Sequence, residues 1–331
     1  MGAAQSSNAK EECTVCQGGD NTEQLRKVAI ALKDHNEDAF EHPTATKPYL
    51  GLAYLPSNRP LSQQELGRCT WAMLHTTAAF MPERLSKQKQ QDLRDFMRTL
   101  TALYPMGAAR QWMSKYLEGN PVNSVSTRDE ACRWMCRFHN EAHRRVQEQA
   151  QERNIKVEVA PMECDDLTRY KERWRSGAAD GSCDRKAAEK FRKAMPNPIL
   201  AWQHSQCPLN RDELGRAVWA FLHTSAAYFP REPTEQQATD ASTFMRTLSR
   251  LYPCGYPSCC RWCAFNVHCL LSGCCSYCGD TTRDEMIRTG VHTQTGEQFE
   301  MWLCHLHNEV NDRLGRQLTD CTRAVAQWKA L

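Results

Sequence analysis

The residues best suited to chemistry are Cys260 and Cys263, spaced Cys-x-x-Cys ahead of an Ala-Phe-Asn-Val-His-Cys-Leu-Leu run that reads as a helix. A thiol at a helix N-terminus has its thiolate stabilised by unpaired N–H groups and by the helix dipole, which lowers its pKa and speeds exchange with another protein's thiols. That arrangement suits a redox dithiol. Cys254 with Cys259 offers a second candidate pair, and Cys269, Cys274, Cys275 and Cys278 crowd the same stretch. Zinc competes for these residues: Cys260, Cys263, Cys275 and Cys278 make two Cys-x-x-Cys pairs eleven residues apart, a spacing that fits a four-thiolate site. Eighteen cysteines in 331 residues exceed what a reduced cytosolic domain normally carries, so the choice lies between disulfides in an oxidising compartment and a zinc protein.

The elements that must position these thiols come in two copies. Residues 60–105 match residues 208–253 at a constant offset of 148, with about half of the aligned positions identical. A second matching block follows in each copy, Trp134 to His143 and Trp302 to Asn311. A unit used twice implies two similar domains rather than one large core. In the first copy Trp71, Leu74 and Ala78 recur at helical spacing, as do Leu93, Phe96, Met97, Leu100 and Leu103, so the unit reads as helical. The second copy is 20 residues longer between its blocks, and the added residues are where the cysteines gather. The expected organisation is an extended arm over 1–59 with Cys13 and Cys16, a first bundle over 60–148, a polar connector over 149–207 with a basic helix from Arg185 to Met195, and a second bundle over 208–331.

Net charge is only +3, and Lys and Arg are dispersed rather than gathered into a stripe, so no nucleic-acid partner is expected. No apolar run approaches the roughly 18 residues that a membrane span needs. The first residues lack the apolar core of a secretory signal but fit Met-Gly-x-x-x-Ser, so Gly2 is a candidate for myristoylation, which alone gives weak membrane association.

These motifs together resemble the Erv/ALR family of FAD-linked sulfhydryl oxidases. In the second copy Gly215, Arg216, Trp219, His223 and Thr224 follow the family's Gly-Arg-x-x-Trp-x-x-x-His-Thr element, and Trp302, Cys304, His307, Asn308 and Asn311 follow its Trp-x-Cys-x-x-His-Asn-x-x-Asn element. Arg316 stands where the family often has a basic residue, and Trp328 fits its C-terminal tryptophan. The resemblance implies an all-α fold of two tandem four-helix bundles packed as an internal pseudo-dimer. It implies FAD held by Gly215, Arg216, Trp219, His223, Tyr228, Cys304, His307, Asn308, Asn311, Arg316 and Trp328, with Cys260 and Cys263 as the catalytic pair. A flavin needs an aromatic slot, polar groups for adenine and ribose, and positive charge for its pyrophosphate, and these residue types supply them.

Three departures stand out. An insertion after Tyr252-Pro253-Cys254 displaces the redox pair, leaving Cys260 with Cys263 and Cys254 with Cys259 both open. The family's structural disulfide would join Cys304 to a cysteine 17 positions upstream; Ile287 stands there, so Cys274 or Cys275 is expected to take that role. The first copy keeps Gly67, Arg68, Trp71, His75, His139 and Asn140 but has Met106 and Ala109 at the redox positions, and His143 replaces the final Asn, so it is expected to be catalytically silent.

The function so implied is oxidation of protein thiols to disulfides, with electrons passing through FAD to oxygen or cytochrome c in the mitochondrial intermembrane space. Cys13 and Cys16 read either as a shuttle dithiol, as in family members, or as an ordinary disulfide or free thiols. Two rivals remain: a non-catalytic accessory subunit of a large mitochondrial assembly, and the zinc module.

Overall fold

The computed structural model describes residues 60–155, 161–177, 183–184, 186, 207–252, 290–313 and 316–329. The N-terminal arm with Cys13 and Cys16, most of the expected basic helix, and the cysteine-rich stretch with Cys254, Cys259, Cys260, Cys263, Cys275 and Cys278 lie outside the described residues.

The first copy folds as α1 (Gln63–Ala79), α2 (Lys87–Leu103), α3 (Gly107–Gly119) and α4 (Arg128–Glu152). Each boundary has a local cause. Ser62 opens α1 as a capping box with Glu65, Thr127 opens α4 as another with Glu130, and the Ser86 hydroxyl accepts from Lys89 N at the start of α2. The second copy repeats the pattern: α6 (Arg211–Ala227) starts at an Asn210–Glu213 box, and α7 (Glu235–Leu251) at a Thr234–Gln237 box. Its last described helices are α8 (Gly296–Arg313) and α9 (Cys321–Lys329). Among the described residues between the copies lies a turn, α5 (Thr168–Lys171), running into a π-turn at Glu172–Ser176. No strand forms among the described residues beyond an isolated antiparallel bridge between Arg84 and Thr127.

Like elements pack on like elements, α1 against α6 and α2 against α7, so the two bundles face each other as the subunits of a two-fold dimer would. Helix α1 is buried almost all round, from Leu66 to Ala79, because α4 covers one side and α6 the other. Phe96 and Phe244, equivalent positions on α2 and α7, stack at 5.3 Å and 16° across this interface. Among the described residues one apolar cluster runs through both copies, and Cys304, Cys321 and Ala324 form a smaller one beside it.

Two buried carboxylates fix the register. Asp92 accepts from Gln88 Nε2 one turn earlier and from Arg250 Nη1 across the interface, both at 3.0 Å. Its counterpart Asp240 accepts from Gln236 Nε2 at 2.9 Å and from Arg98 Nη1 at 2.6 Å. A buried carboxylate without such partners would be costly, so these pairs specify which turn of α2 meets which turn of α7. Leu61 N donates to Thr224 Oγ1 at 3.2 Å and ties the entry of α1 to α6.

Residues 161–177, read from sequence as connector, return to the first bundle. Cys136 on α4 bonds Cys164, and Lys171 Nζ reaches Asp129 Oδ2 at 3.0 Å. Cys183 bonds Cys207 just ahead of α6.

Truncating Phe244 to Ala removes an aromatic ring from the centre of the interface; the expected loss is about 3–5 kcal/mol in denaturant unfolding. Arg98→Ala leaves the buried Asp240 carboxylate with Gln236 as its donor among the described residues and is expected to cost about 2–3 kcal/mol. A loss near zero for Arg98→Ala would contradict the part given to this pair in fixing the register.

Candidate functional site

In each bundle the first helix and the last long helix meet at a tryptophan and two histidines. In the second copy Trp219 and His223 project from α6, one turn apart, toward His307 on α8. Trp219 stacks on His307 with ring centroids 3.9 Å apart and 14° between planes, and His223 Nε2 lies 3.0 Å from His307 Nδ1. In the first copy Trp71 stacks on His139 at 3.9 Å and 15°, and His75 Nε2 lies 2.8 Å from His139 Nδ1. The spacing Trp-x-x-x-His on one helix and His-Asn on the other therefore encodes a shared geometry.

These imidazoles are held neutral. Burial pushes His223 down to about 3, and it pushes His307 well below the usual range, with the charges of His223 and Arg316 adding to the effect. In the first copy burial pushes His75 to about 3 and His143 to about 4, and takes His139 well below its ordinary value. A neutral imidazole has one donor and one acceptor nitrogen, so one shared hydrogen satisfies each His–His contact.

Around the second-copy pair the expected site residues take distinct positions. Asn311 is buried beside His307 on α8, and Arg316, exposed beyond the helix end, is close enough for its charge to act on His307. Trp219 is 3% exposed, and its Nε1 has no hydrogen-bond partner among the described residues. Such a donor costs about 1–3 kcal/mol unless a ligand acceptor reaches it. At Gly215 an added Cβ would meet no described atom within 4 Å, although the residue is buried, so space remains beside the start of α6. Arg216 is half-buried at this end and Tyr228 lies 40% exposed at the other end of α6. The side chain of Trp328 lies outside the described residues, as do Cys260 and Cys263. The arrangement offers a flat aromatic and imidazole wall, a dry unpartnered donor, and a nearby positive charge.

Two expected residues serve the frame. Cys304 bonds Cys321, 17 positions downstream, which corrects the expected pairing with an upstream cysteine such as Cys274 or Cys275. Asn308 uses its amide on the same loop: Nδ2 donates to Thr319 O at 2.7 Å, and Oδ1 accepts from Thr319 N at 2.9 Å. The first copy repeats this lock with Asn140 on Met162 O and N at 2.9 and 2.8 Å, beside the Cys136–Cys164 bond. The two loops differ in length, the bonded cysteines lying 28 positions apart in one copy and 17 in the other, yet end in the same clamp. Among the described residues no group of three or more His, Cys, Asp or Glu side chains is placed to hold a metal ion.

Sequence reasoning missed Tyr170 and Trp174. The Tyr170 hydroxyl lies 2.9 Å from His75 Nδ1, and Trp174 stacks on the His75 ring at 4.8 Å and 20°. A signal was present, since Cys164 follows the first copy's His-Asn block as Cys321 follows the second's and so marks residues past Cys164 as part of the bundle.

The family model described as Erv1 / Alr family matches residues 68–175, 216–270 and 265–329, more than half of the chain. The chain is 36% identical over 124 residues to the FAD-linked sulfhydryl oxidase ERV1 of Arabidopsis thaliana, covering 38% of this chain and 54% of that protein. It is 29% identical over 123 residues to the mitochondrial FAD-linked sulfhydryl oxidase ERV1 of Saccharomyces cerevisiae, covering 37% and 53%. The chain spans about half the length of the curated relatives it matches. The crystal structure of the yeast Erv1 core is 26% identical and covers 37% of this chain and 86% of that chain, with a TM-score of 0.28.

Because the buried histidines have folded pKa values below their unfolded value, the unfolded chain binds more protons in acid. Stability is therefore full above about pH 6.5 and falls as pH drops from there toward about 3. Between about pH 7 and 5 each buried imidazole is expected to cost on the order of 2 kcal/mol, so each pair about 4 kcal/mol, read as a falling denaturant midpoint. A flat midpoint over that interval would contradict neutral burial. Cys321→Ser, which opens the Cys304 bridge, is expected to cost about 3 kcal/mol by loop-closure entropy in the same assay.

Proposed function

The chain belongs to the Erv1 / Alr family, and from that premise we propose that it is a FAD-dependent thiol oxidase that makes disulfides in protein substrates. The observation that carries the reading is the second-copy wall of Trp219 stacked on His307, with the buried Trp219 Nε1 lacking a partner, and space open beside Gly215, among the described residues. These residues fit a flavin: the stacked rings give a flat apolar face, Trp219 Nε1–H gives a donor, and Arg316 gives charge complementary to a pyrophosphate. Gly215, Arg216, His223, Tyr228, His307, Asn311 and Trp328 complete the proposed contacts. Cys304 and Asn308 are proposed to act through the clamp that holds the α8–α9 corner.

In the proposed reaction a substrate thiolate attacks the Cys260–Cys263 disulfide, and a mixed disulfide forms as one active-site thiolate leaves. The second substrate thiolate then displaces the other sulfur. The substrate has lost two electrons and two protons, and the pair is left as a dithiol. Bound FAD supplies the two-electron sink for that dithiol and the route onward to oxygen or cytochrome c. The neutral His223–His307 pair keeps positive charge out of the wall at physiological pH and orients both rings by their shared hydrogen. A mitochondrial setting follows the names of the fungal relatives, and the intermembrane space is proposed within it from the family resemblance.

The purified chain is expected to show a visible flavin spectrum and to consume oxygen with dithiothreitol. Cys263→Ser is expected to keep the spectrum while turnover falls at least about 100-fold. Flavin without thiol-dependent turnover would instead support a non-catalytic accessory subunit, and zinc without flavin would support the metal module.

A further inference from the structure

Three disulfides lie among the described residues, and the proposed reaction uses none of them. They differ in how an outside thiol can reach them. Exchange needs a thiolate to approach one of the two sulfurs, so at least one must be open to solvent. In the Cys136–Cys164 and Cys304–Cys321 bridges all four cysteines are buried, from 0% exposed at Cys136 to 8% at Cys164. An asparagine also stands over one sulfur of each: Asn140 Nδ2 lies 3.3 Å from Cys164 Sγ, and Asn308 Nδ2 lies 3.4 Å from Cys321 Sγ. In the third bridge Cys183 is only half-buried, while its partner Cys207 is 5% exposed.

Loop length does not separate the bridges. The bonded cysteines lie 28, 24 and 17 positions apart, and the probability of closing loops of these lengths differs by only about twofold. Access is the larger difference. It is kept open at Cys183 by a glycine, since a Cβ added at Gly177 would lie 3.3 Å from Cys183 Sγ. Bare backbone therefore stands where a side chain would cover the sulfur. Gly177 also holds φ +82°, a conformation that favours glycine.

The two sulfurs have different parts in an exchange. Burial of Cys207 directs attack to Cys183 and leaves Cys207 as the departing thiolate. Burial alone makes that thiolate costly. Arg173, itself buried, donates to the Cys207 carbonyl and sets a guanidinium beside the residue on which the negative charge forms. A nearby cation lowers a thiol's pKa, and a thiol of lower pKa leaves faster.

We propose that Cys183–Cys207 is a thiol-exchange site for low-molecular-weight thiols, opened in the native fold while the Cys136–Cys164 and Cys304–Cys321 clamps stay closed. A small thiolate attacks Cys183 Sγ, the bond between the two sulfurs breaks, and Cys207 departs as a thiolate. A second small thiolate attacks the small-molecule sulfur of the mixed disulfide, which releases Cys183 and a small-molecule disulfide. Two electrons pass from the two thiols to the bridge, and the two protons they gave up end on Cys183 and Cys207. The bridge and the Arg173 contact join the segment packed on His75 to the residue ahead of α6, so this tie follows the thiol-to-disulfide ratio of its surroundings. The site is independent of the flavin reading.

The test is graded reduction of the native full-length protein by reduced glutathione without oxygen, quenched with N-ethylmaleimide and mapped by peptide mass spectrometry, with circular dichroism to follow folding. Glutathione is expected on Cys183 and maleimide on Cys207, with this bridge opening at least about tenfold faster than either clamp. Opening of all three bridges at one rate, or of a clamp first, would overturn the proposal. So would glutathione on Cys207 with maleimide on Cys183, or a Cys183–Cys207 bridge that stays closed up to the highest glutathione concentration at which the chain remains folded.

Discussion

Each bundle depends on a buried contact between two uncharged imidazoles, one on the first helix and one on the last long helix, with a tryptophan stacked against it. The stack at 3.9 Å leaves no room for water, and burial makes protonation costly. A single shared hydrogen then sets the orientation of both rings and with it the approach of the two helices. The clamp at the far end, an asparagine on a backbone pair next to a disulfide, keeps the last helix from sliding along its axis.

With two such frames in one chain, the face joining them can be shared while their slots diverge. The interface is built from α1, α2, α6 and α7, on the opposite helices from the clamp, and its anchors are Phe96 on Phe244 and the carboxylates Asp92 and Asp240. None of these residues touches the imidazole pairs. The first bundle can therefore carry Met106 and Ala109 where the family resemblance places cysteines, and pack Tyr170 and Trp174 on His75, while still packing against its neighbour.

Much of this was legible in the chain. The offset of 148 gave the two copies, the spacing of Leu93, Phe96, Met97 and Leu100 gave an amphipathic α2, and all four are buried. Trp-x-x-x-His and His-Asn marked the residues that meet in space. The disulfides were not legible, because a bridge is set by where two Cα atoms come to rest and not by sequence distance: 5.6 and 5.7 Å separate bonded Cα atoms whose loops differ by eleven residues. Asn308 was expected at the cofactor from the family resemblance alone; its amide on the Thr319 backbone pair, a second role, was not legible in the motif. Tyr170 and Trp174 were hidden in a polar stretch, and the Cys136 bridge, the Asn140–Met162 pair and the Lys171–Asp129 ion pair bring that stretch onto α1 and α4.

The account stands on the claim that the second bundle's tryptophan and histidine wall is one side of a ligand slot and not simply core. A map of the purified full chain, by crystallography or cryo-EM, tests this most directly. The account predicts a flat three-ring density lying against Trp219 and His307, within hydrogen-bond reach of Trp219 Nε1. Protein side chains packed into that volume, leaving the indole N–H bonded to the chain itself, would contradict it.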